Sequence, residues 1–536
     1  MLERVVESWL TRVNERSLEV PFCQLLTGEG YQVVHLSRHG PFEEGKDIIA
    51  ISPEGTPCAF QLKGGNGGKI TQRSWEGYIP QVIRLVELPI RHPSIDPDQP
   101  RRVFFVTTGE LEEEVRTEIA NRNIEWENRG LPRLETIVKG QLLTRFLRMQ
   151  SIVWPVELTR EKDLLDFFLD DGTGYLDKGK MSDFILDLLP LFPNYPNKSE
   201  CARSLASAAI FTSYVLSPFL EKENHVAVIE GWTVYLASLI ALATKHDLEE
   251  KYWRESFYLS AYAVEGALLD LCNELRGRKH LVEGNALVDA LFYHGRATWL
   301  VAFVSAYVLW KRLLNPLWDI DDWYKKFVSS FQKDLRLWGE AAVPQFLSTY
   351  WFLRQTTASA SLDGMLATII EGICTSNING EGLADPYHGL AEVVSQAFGL
   401  SELIHRESFK GRSYSLESLV HLFARRMWRQ SLAQLWPNIT ELHYAEFVPA
   451  ELWQFCLWAS EEGVLQTSEP KKPQSWGELK READEVNTSR IPDIFQDHPE
   501  VLLIFVITYP HRLTKDVAKY LDNRIREVKR VPKDKA

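Results

Sequence analysis

The order of apolar and polar residues changes character near Gln150. Before it, short runs rich in β-branched and aromatic residues alternate with stretches of helical spacing. Residues 31–36, 46–51 and 57–63 read as strands. Ser52-Pro53-Glu54-Gly55 between the last two is a tight turn, because Pro presets φ and Gly accepts positive φ. Residues 102–108 form a nearly all-apolar run suited to the centre of a sheet, and 135–138 a shorter strand. Helices are expected over 18–27, with Ser17 as N-cap and Gly28 and Gly30 at its end, and over 75–86. Two more are expected over 110–122, with an acidic first turn (Glu110, Glu112, Glu113, Glu114), and over 141–148. The order α-β-β-β-α-β-α-β-α predicts one α/β domain with a mixed central sheet flanked by helices.

After about Val156 the spacing is almost wholly helical. Leu164, Phe167 and Phe168 recur at three- and four-residue intervals, as do Ile185, Leu188 and Leu189, and Leu259, Tyr262 and Ala263. Pro and Gly clusters punctuate these stretches, and no fixed period marks a repeat array. The segment EPKKPQ at 469–474 reads as an exposed linker. The expected organisation is an α/β module over 1–152, a large all-α region over 153–468, and a linker with a C-terminal helical segment and basic tail over 469–536.

Composition narrows the functional classes. At 536 residues the chain exceeds one ordinary core. Its six cysteines are scattered without a CxxC pair, which points to free thiols and excludes zinc-finger spacing. A net charge of −13 argues against a general nucleic-acid coat. The charge is unevenly spread. The first 150 residues carry 19 basic and 21 acidic groups, net −2, leaving 41 basic and 52 acidic groups, net −11, for the rest. The acidity of that helical remainder favours contact with protein over recognition of DNA. Two apolar runs, at 232–244 and 298–310, are short of the ~18–20 residues of a bilayer span and read as buried helices. With an amphipathic N-terminus that lacks an apolar targeting core, the expectation is a cytoplasmic protein without a membrane segment.

The chemistry concentrates in EEGKDIIAISPEGTPCAFQLKGG. Asp47 falls early in one strand of the expected hairpin, and Gln61 and Lys63 fall at the end of the next. Alternation puts Gln61 and Lys63 on one face and Leu62 on the other. An acid and a lysine converging at one hairpin end suit a hard metal ion and a polarised water. Mg²⁺ takes oxygen ligands, few of them from protein, and retains waters. Asp47 would supply a carboxylate, Gln61 an amide oxygen and Leu62 its backbone carbonyl. Lys63 would orient or deprotonate the attacking water, or stabilise the charged transition state. The purely structural alternative is a cross-strand ion pair of Asp47 with Lys63 beside a sheet-edge glutamine.

Asp47 with Gln61-Leu62-Lys63 matches the D…QxK form of the active-site motif and resembles the PD-(D/E)XK nuclease superfamily, in particular its Mrr-like restriction endonuclease branch. Leu18-Glu19 looks like the start of the family's first helix, VFFVTTGELEEEVRTEIA like its strand, turn and following helix, and TIVKGQLLTRFL like its closing strand-Gly-helix element. The resemblance covers about residues 15–150. It implies a metal-dependent endonuclease that hydrolyses DNA phosphodiester bonds with Mg²⁺ (or Mn²⁺), held by Asp47, Gln61, Glu19 and the Leu62 carbonyl, with Lys63 assisting the water. Glu15 lies four residues before Glu19 and shares its face if the helix starts sooner. Gln61 in place of an acid removes one negative charge from the metal site. A nuclease module fused to a large helical region resembles bacterial restriction or antiphage defence effectors. The helical region would then control activation, or assembly into a homo-oligomer or with a partner of the defence system. The alternative is a non-catalytic DNA- or protein-binding scaffold built on a degraded nuclease fold.

Other candidates carry less. KGGNGGK lacks the Walker spacing, since Lys63 stands where its first glycine belongs. The loop would instead let a DNA backbone approach, with Lys69 and Arg73 on phosphates. His35, His39 and Glu44 read as surface or structural groups. The helical aromatics Tyr350, Trp351, Phe352, Trp428 and Trp436 read as core rather than as base-stacking platforms.

Overall fold

The computed structural model describes residues 2–36, 45–64, 68–151, 158–191, 197–278, 290–356, 362–397, 410–459, 464–468, 474–485 and 488–529. The chain forms two compact units, Met1–Ala263 and Val264–Ala536. His39, Glu44, Gly65, Gly67, nearly all of the expected linker and the last basic residues lie outside the described residues.

The N-terminal unit opens with α1 (Leu2–Arg12) and α2 (Glu15–Gly28), followed by β1 (Gln32–Leu36), β2 (Ile48–Ile51), β3 (Pro57–Lys63) and the short β4 (Lys69–Ile70). Then come α3 (Gln72–Glu87), β5 (Arg102–Thr107), β6 (Glu110–Leu111), α4 (Glu113–Asn128), β7 (Leu134–Ile137) and α5 (Lys139–Gln150). Five strands form a mixed sheet in the order β1-β2-β3-β5-β7. The β1–β2 and β2–β3 pairs are antiparallel, and the β3–β5 and β5–β7 pairs are parallel. The turn between β2 and β3 is built as its residues require. Gly55 has φ +82° and its N–H donates to the Ser52 carbonyl at 2.8 Å.

Alternation on β3 sorts the layers. Ala59 points with Ile49, Val103 and Phe105 into a core completed by Trp75, Val82 and Leu85 of α3 and Val115 and Ile119 of α4. Phe60 points the other way, stacks on Phe104 at 4.8 Å and meets Phe22 of α2 edge-on at 5.5 Å. Each such buried aromatic stabilises the fold by about 1.5–3 kcal/mol. Nine consecutive residues of α2, Leu18 to Leu26, are buried, so no face of this helix is left to water. The sheet covers one side of it. On another side Gln24 Nε2 donates to the Ser256 carbonyl at 3.2 Å, and Ser256 Oγ donates back to Gln24 Oε1 at 2.9 Å.

The rest of the unit is helical: α6 (Leu158–Phe168), α7 (Lys178–Leu188), α8 (Lys198–Glu221), α9 (His225–Lys245) and α10 (Arg254–Gly277), in which the division between units falls. Pattern reading separated an α/β module at 152 by element type. Packing groups that module with the helices as far as Ala263.

Two local expectations fail. Glu110 and Leu111 are strand, not helix, because they pair in parallel with Lys69 and Ile70, a partner that local sequence cannot reveal. The helix starts at Glu113, so Glu113 and Glu114 make its acidic first turn. Ser17 is not the cap of α2. Asn14 caps it, its side chain accepting from the Ser17 N–H at 2.8 Å.

The C-terminal unit contains α11 (Ala290–Leu314), α12 (Asp322–Phe331), α13 (Val343–Thr356), α14 (Leu362–Ile378), α15 (Leu390–Ala397), α16 (Leu416–Arg425) and α17 (Arg429–Ile439). It ends with α18 (Trp476–Glu485), α19 (Asp493–Asp497), α20 (Pro499–Thr508) and α21 (Lys515–Lys529). It is not all-α. β8 (Arg412–Ser413), β9 (His443–Val448) and β10 (Val464–Thr467) form a three-stranded sheet in the order β10-β9-β8. Tyr350, Trp351 and Phe352 are buried core residues. All six cysteines are free and buried. Two helices, His225–Lys245 and Phe292–Leu314, are long and apolar enough to cross a membrane, and most of each is buried inside the protein.

Candidate active site

Asp47 sits immediately before β2 rather than within it. Its backbone N–H still donates to the Phe60 carbonyl at 2.9 Å. Its carboxylate then continues the ladder where the backbone has left it. Asp47 Oδ2 accepts from the Leu62 N–H at 2.6 Å and from Gln61 Nε2 at 2.6 Å. In a strand the N–H and C=O of one residue point the same way, so the Leu62 carbonyl faces the same corner. Gln61 Nε2 is 3.5 Å from that carbonyl, too far for a good hydrogen bond. The Asp47 carboxylate, the Gln61 amide and the Leu62 carbonyl therefore meet at the open end of the β2–β3 pair, and Asp47 and Gln61 are both buried.

Gly45 makes this placement possible. It has φ +75°, and a Cβ there would lie 2.5 Å from the Gln81 carbonyl of α3. Only glycine lets the chain pass so close to α3 before turning into Lys46 and Asp47.

Lys63 is the last residue of β3. Alternation sets it on the Gln61 face, and its ammonium lies 5.7 Å from the centre of the Tyr78 ring of α3. Its ion partner is Glu15, the first residue of α2, with Nζ 2.7 Å from Oε1. A Cβ at the next residue, Gly64, would stand 3.0 Å from the Glu15 backbone nitrogen. The start of α2 thus abuts the end of β3, and the first glycine of the Gly-rich stretch serves that approach. Because α2 begins at Glu15, Glu15 and Glu19 share a face with Phe22. Glu19 is buried in that helix layer. Burial, with the Glu19 and Glu255 carboxylates next, pushes the Cys23 thiol well above its ordinary value.

Lys69, on β4, and Arg73, in the first turn of α3, are exposed. His35 is also exposed, its ring 6.3 Å from that of His92.

The three residues carry oxygens a hard cation could use, one carboxylate, one amide and one backbone carbonyl, although the amide turns its nitrogen to this corner. Gln61 Oε1 is buried and has no hydrogen-bond donor among the described residues. The amide nitrogen that bridges Asp47 Oδ2 and faces the Leu62 carbonyl fills the position of a positive group. Turning the amide over would place three oxygens at that corner, beside the Leu62 N–H from which Asp47 already accepts.

A second group belongs to the C-terminal unit. Glu417 and His421, four residues apart on α16, and Glu482 of α18 bring ligand atoms within 4.8 Å of one another. This is a set able to hold a metal, although Lys515 Nζ already lies 3.0 Å from Glu417 Oε1. The spacing of Glu417 and His421 is a readable helical signal. Glu482 is brought in by tertiary packing alone.

Neither the models of protein families, nor the curated proteins, nor the solved structures offer a match to this chain.

Proposed function

We propose that the N-terminal unit is a metal-dependent endonuclease acting on DNA phosphodiester bonds. The meeting of the Asp47 carboxylate, the Gln61 amide and the Leu62 backbone at one strand end, with Lys63 next on the same face, carries this reading. The fit to the D…QxK motif supports it, as does a mixed five-stranded sheet with helices on both faces.

Asp47, Gln61 through Oε1 and the Leu62 carbonyl would hold Mg²⁺ or Mn²⁺, with Glu19 as the further acidic candidate. The bound ion would polarise a phosphate oxygen and acidify a water. In the reaction a water oxygen bonds to phosphorus, the P–O bond to one sugar breaks, and the departing alkoxide takes up a proton. Lys63 directs its ammonium at the attacking water and at the charge that develops on the phosphoryl oxygens. Glu15 keeps that ammonium at the strand end. The helical remainder would govern activation or assembly, as in a restriction or antiphage defence effector. Cutting both strands calls for two such modules, which a homo-oligomer would bring together.

The test is cleavage of plasmid DNA by the full chain with Mg²⁺ or Mn²⁺, alongside Asp47→Ala and Lys63→Ala. Metal-dependent nicking by the wild type that both variants lose is the expected result. Equal cutting by Lys63→Ala would show the activity to lie elsewhere.

One observation favours a second reading, a non-catalytic binding module. Asp47 and Lys63 already have partners within the chain, the Gln61 amide nitrogen and Glu15. Tight, metal-independent DNA binding without cleavage would select it.

A further inference from the structure

The basic C-terminal segment does not simply face water. On α21, Asp522, Arg526 and Lys529 fall at intervals of four and three and share one face. They line a pocket of about 220 Å³ with Trp351 and Arg354 of α13 and with Arg426, which follows α16. Four cationic side chains and one carboxylate meet there, an excess of three positive charges in a chain whose net charge is −13.

The carboxylate is committed through Oδ1, while its buried Oδ2 has no hydrogen-bond donor among the described residues. Asp522 is fully buried, accepts from Trp351 Nε1 at 3.2 Å and is paired with the Arg426 guanidinium, while Arg425 stands 3.7 Å away. Arg426 is itself only 6% exposed, and its Nε has no acceptor among the described residues. Arg354 donates to the Tyr350 hydroxyl at 2.7 Å, and Lys529 Nζ donates to the Arg354 backbone carbonyl, so neither is neutralised by an acid. Arg526 has no carboxylate partner among the described residues. Like charges held this close in a partly desolvated pocket repel unless an anion joins them.

We propose that this pocket binds the terminal phosphate group of a small molecule, a phosphomonoester or a diphosphate. The volume is below the ~300–1,000 Å³ of a drug-sized site, which limits the occupant to a compact anion. A terminal phosphate, with three free oxygens, matches this set of forks better than the doubly esterified phosphate of a duplex backbone. Guanidinium forks match phosphate oxygens two at a time, and three arginines surround the space. A dianion leaves the pocket one charge from neutral. The assignment stands apart from the nuclease reading, because its readout is binding and not cleavage.

The test is calorimetric titration of the full chain with sodium pyrophosphate and with inorganic phosphate, at constant ionic strength in chloride. An oligonucleotide without terminal phosphates serves as competitor. Saturable binding near one per chain is expected, tighter for pyrophosphate, with no displacement by the oligonucleotide. Arg526→Ala and Lys529→Ala should each weaken it by about tenfold or more, and Arg526→Lys should restore part of the loss. Lys529 is exposed, so its variant keeps the fold even if another does not. No saturable heat at millimolar pyrophosphate would overturn the proposal. So would unchanged affinity in Lys529→Ala and Arg526→Ala, or full displacement by the oligonucleotide, which would make the pocket a contact for backbone phosphate.

Discussion

Lys63 Nζ lies 2.7 Å from Glu15 Oε1, so the last residue of β3 is tied to the first residue of α2. The Lys63 side chain is 8% exposed and that of Glu15 33%, so the lysine depends more on the pair than the glutamate does. Glu15→Gln keeps an acceptor but removes the charge, and should cost about 1 kcal/mol in urea unfolding, reduced by the partial exposure of the carboxylate. On plasmid DNA it should retain most of the cleavage, whereas Lys63→Ala should lose about a hundredfold or more. If Glu15→Gln stays folded and loses cleavage as completely as Lys63→Ala, then Glu15 belongs to the metal-binding set rather than to the support of the lysine.

Asp47 has a structural duty that is separable from any chemical one. Its Oδ2 satisfies both the Leu62 N–H and the Gln61 amide in a buried corner. Asp47→Ala leaves two buried donors without an acceptor and should destabilise the unit by roughly 2–4 kcal/mol. Asp47→Asn retains an oxygen for the Leu62 N–H and should cost less than half of that. Both variants should lose metal-dependent nicking. An Asn variant with wild-type unfolding midpoint and no nicking separates catalysis from folding, while one that nicks normally would remove Asp47 from the site.

Gly45 should not tolerate a side chain. Positive φ acts together with the 2.5 Å that would separate a Cβ at this position from the Gln81 carbonyl, and the obstacle is backbone rather than a movable side chain. Gly45→Ala should lower stability by about 1–3 kcal/mol and, by shifting Asp47, reduce metal-dependent nicking as well. Gly55, whose Cβ would meet nothing within 4 Å, is the control: Gly55→Ala carries the φ penalty alone and should leave nicking intact. Equal loss of nicking in both variants would show that the approach to α3 has no part in placing Asp47.

The elements that depend on local pattern were legible in the sequence. β3 occupies Pro57–Lys63 as alternation and the flanking turn predict, and the buried spacings at Leu164, Ile185 and Leu259 are helical. What was not legible depends on partners far along the chain. Glu110 and Leu111 become strand because Lys69 and Ile70 lie beside them. β9 was hidden because His443 and Glu446 break its apolar run, and its neighbours are strands of two and four residues. Within the site, the association of Asp47 with Gln61 followed from a hairpin register. The choice of Glu15 as the partner of Lys63 required the helix to be capped by Asn14 and to begin at Glu15, and both Asn14 and Ser17 are good caps. The basic tail shows in the sequence only as a run of charges, because nothing in residues 519–529 reveals that Arg354 and Arg426 come to meet it.

Glu340 sets a pH dependence in the C-terminal unit. Its carboxylate is buried, and Oε2 accepts from the Tyr414 and Ser415 N–H groups at 2.9 Å each. Burial raises its pKa to about 7, against the partial relief those hydrogen bonds bring. The unfolded chain releases this proton near the ordinary value of 4.5, so between about 4.5 and 7 the native state holds more protons than the unfolded state. Its contribution to stability is complete below 4.5 and is lost as pH rises through about 7. The full loss is on the order of 3 kcal/mol. Glu340→Gln keeps a carbonyl oxygen for the two N–H groups and carries no charge at any pH. It should therefore flatten the fall in stability across that window and exceed the wild type above pH 7. Urea unfolding of the two proteins at pH 5, 6, 7 and 8, followed by a fluorophore attached in the C-terminal unit, checks this. Parallel curves for wild type and Glu340→Gln would mean that the native carboxylate ionises as readily as in the unfolded chain, and that the two backbone donors stabilise its charge in full.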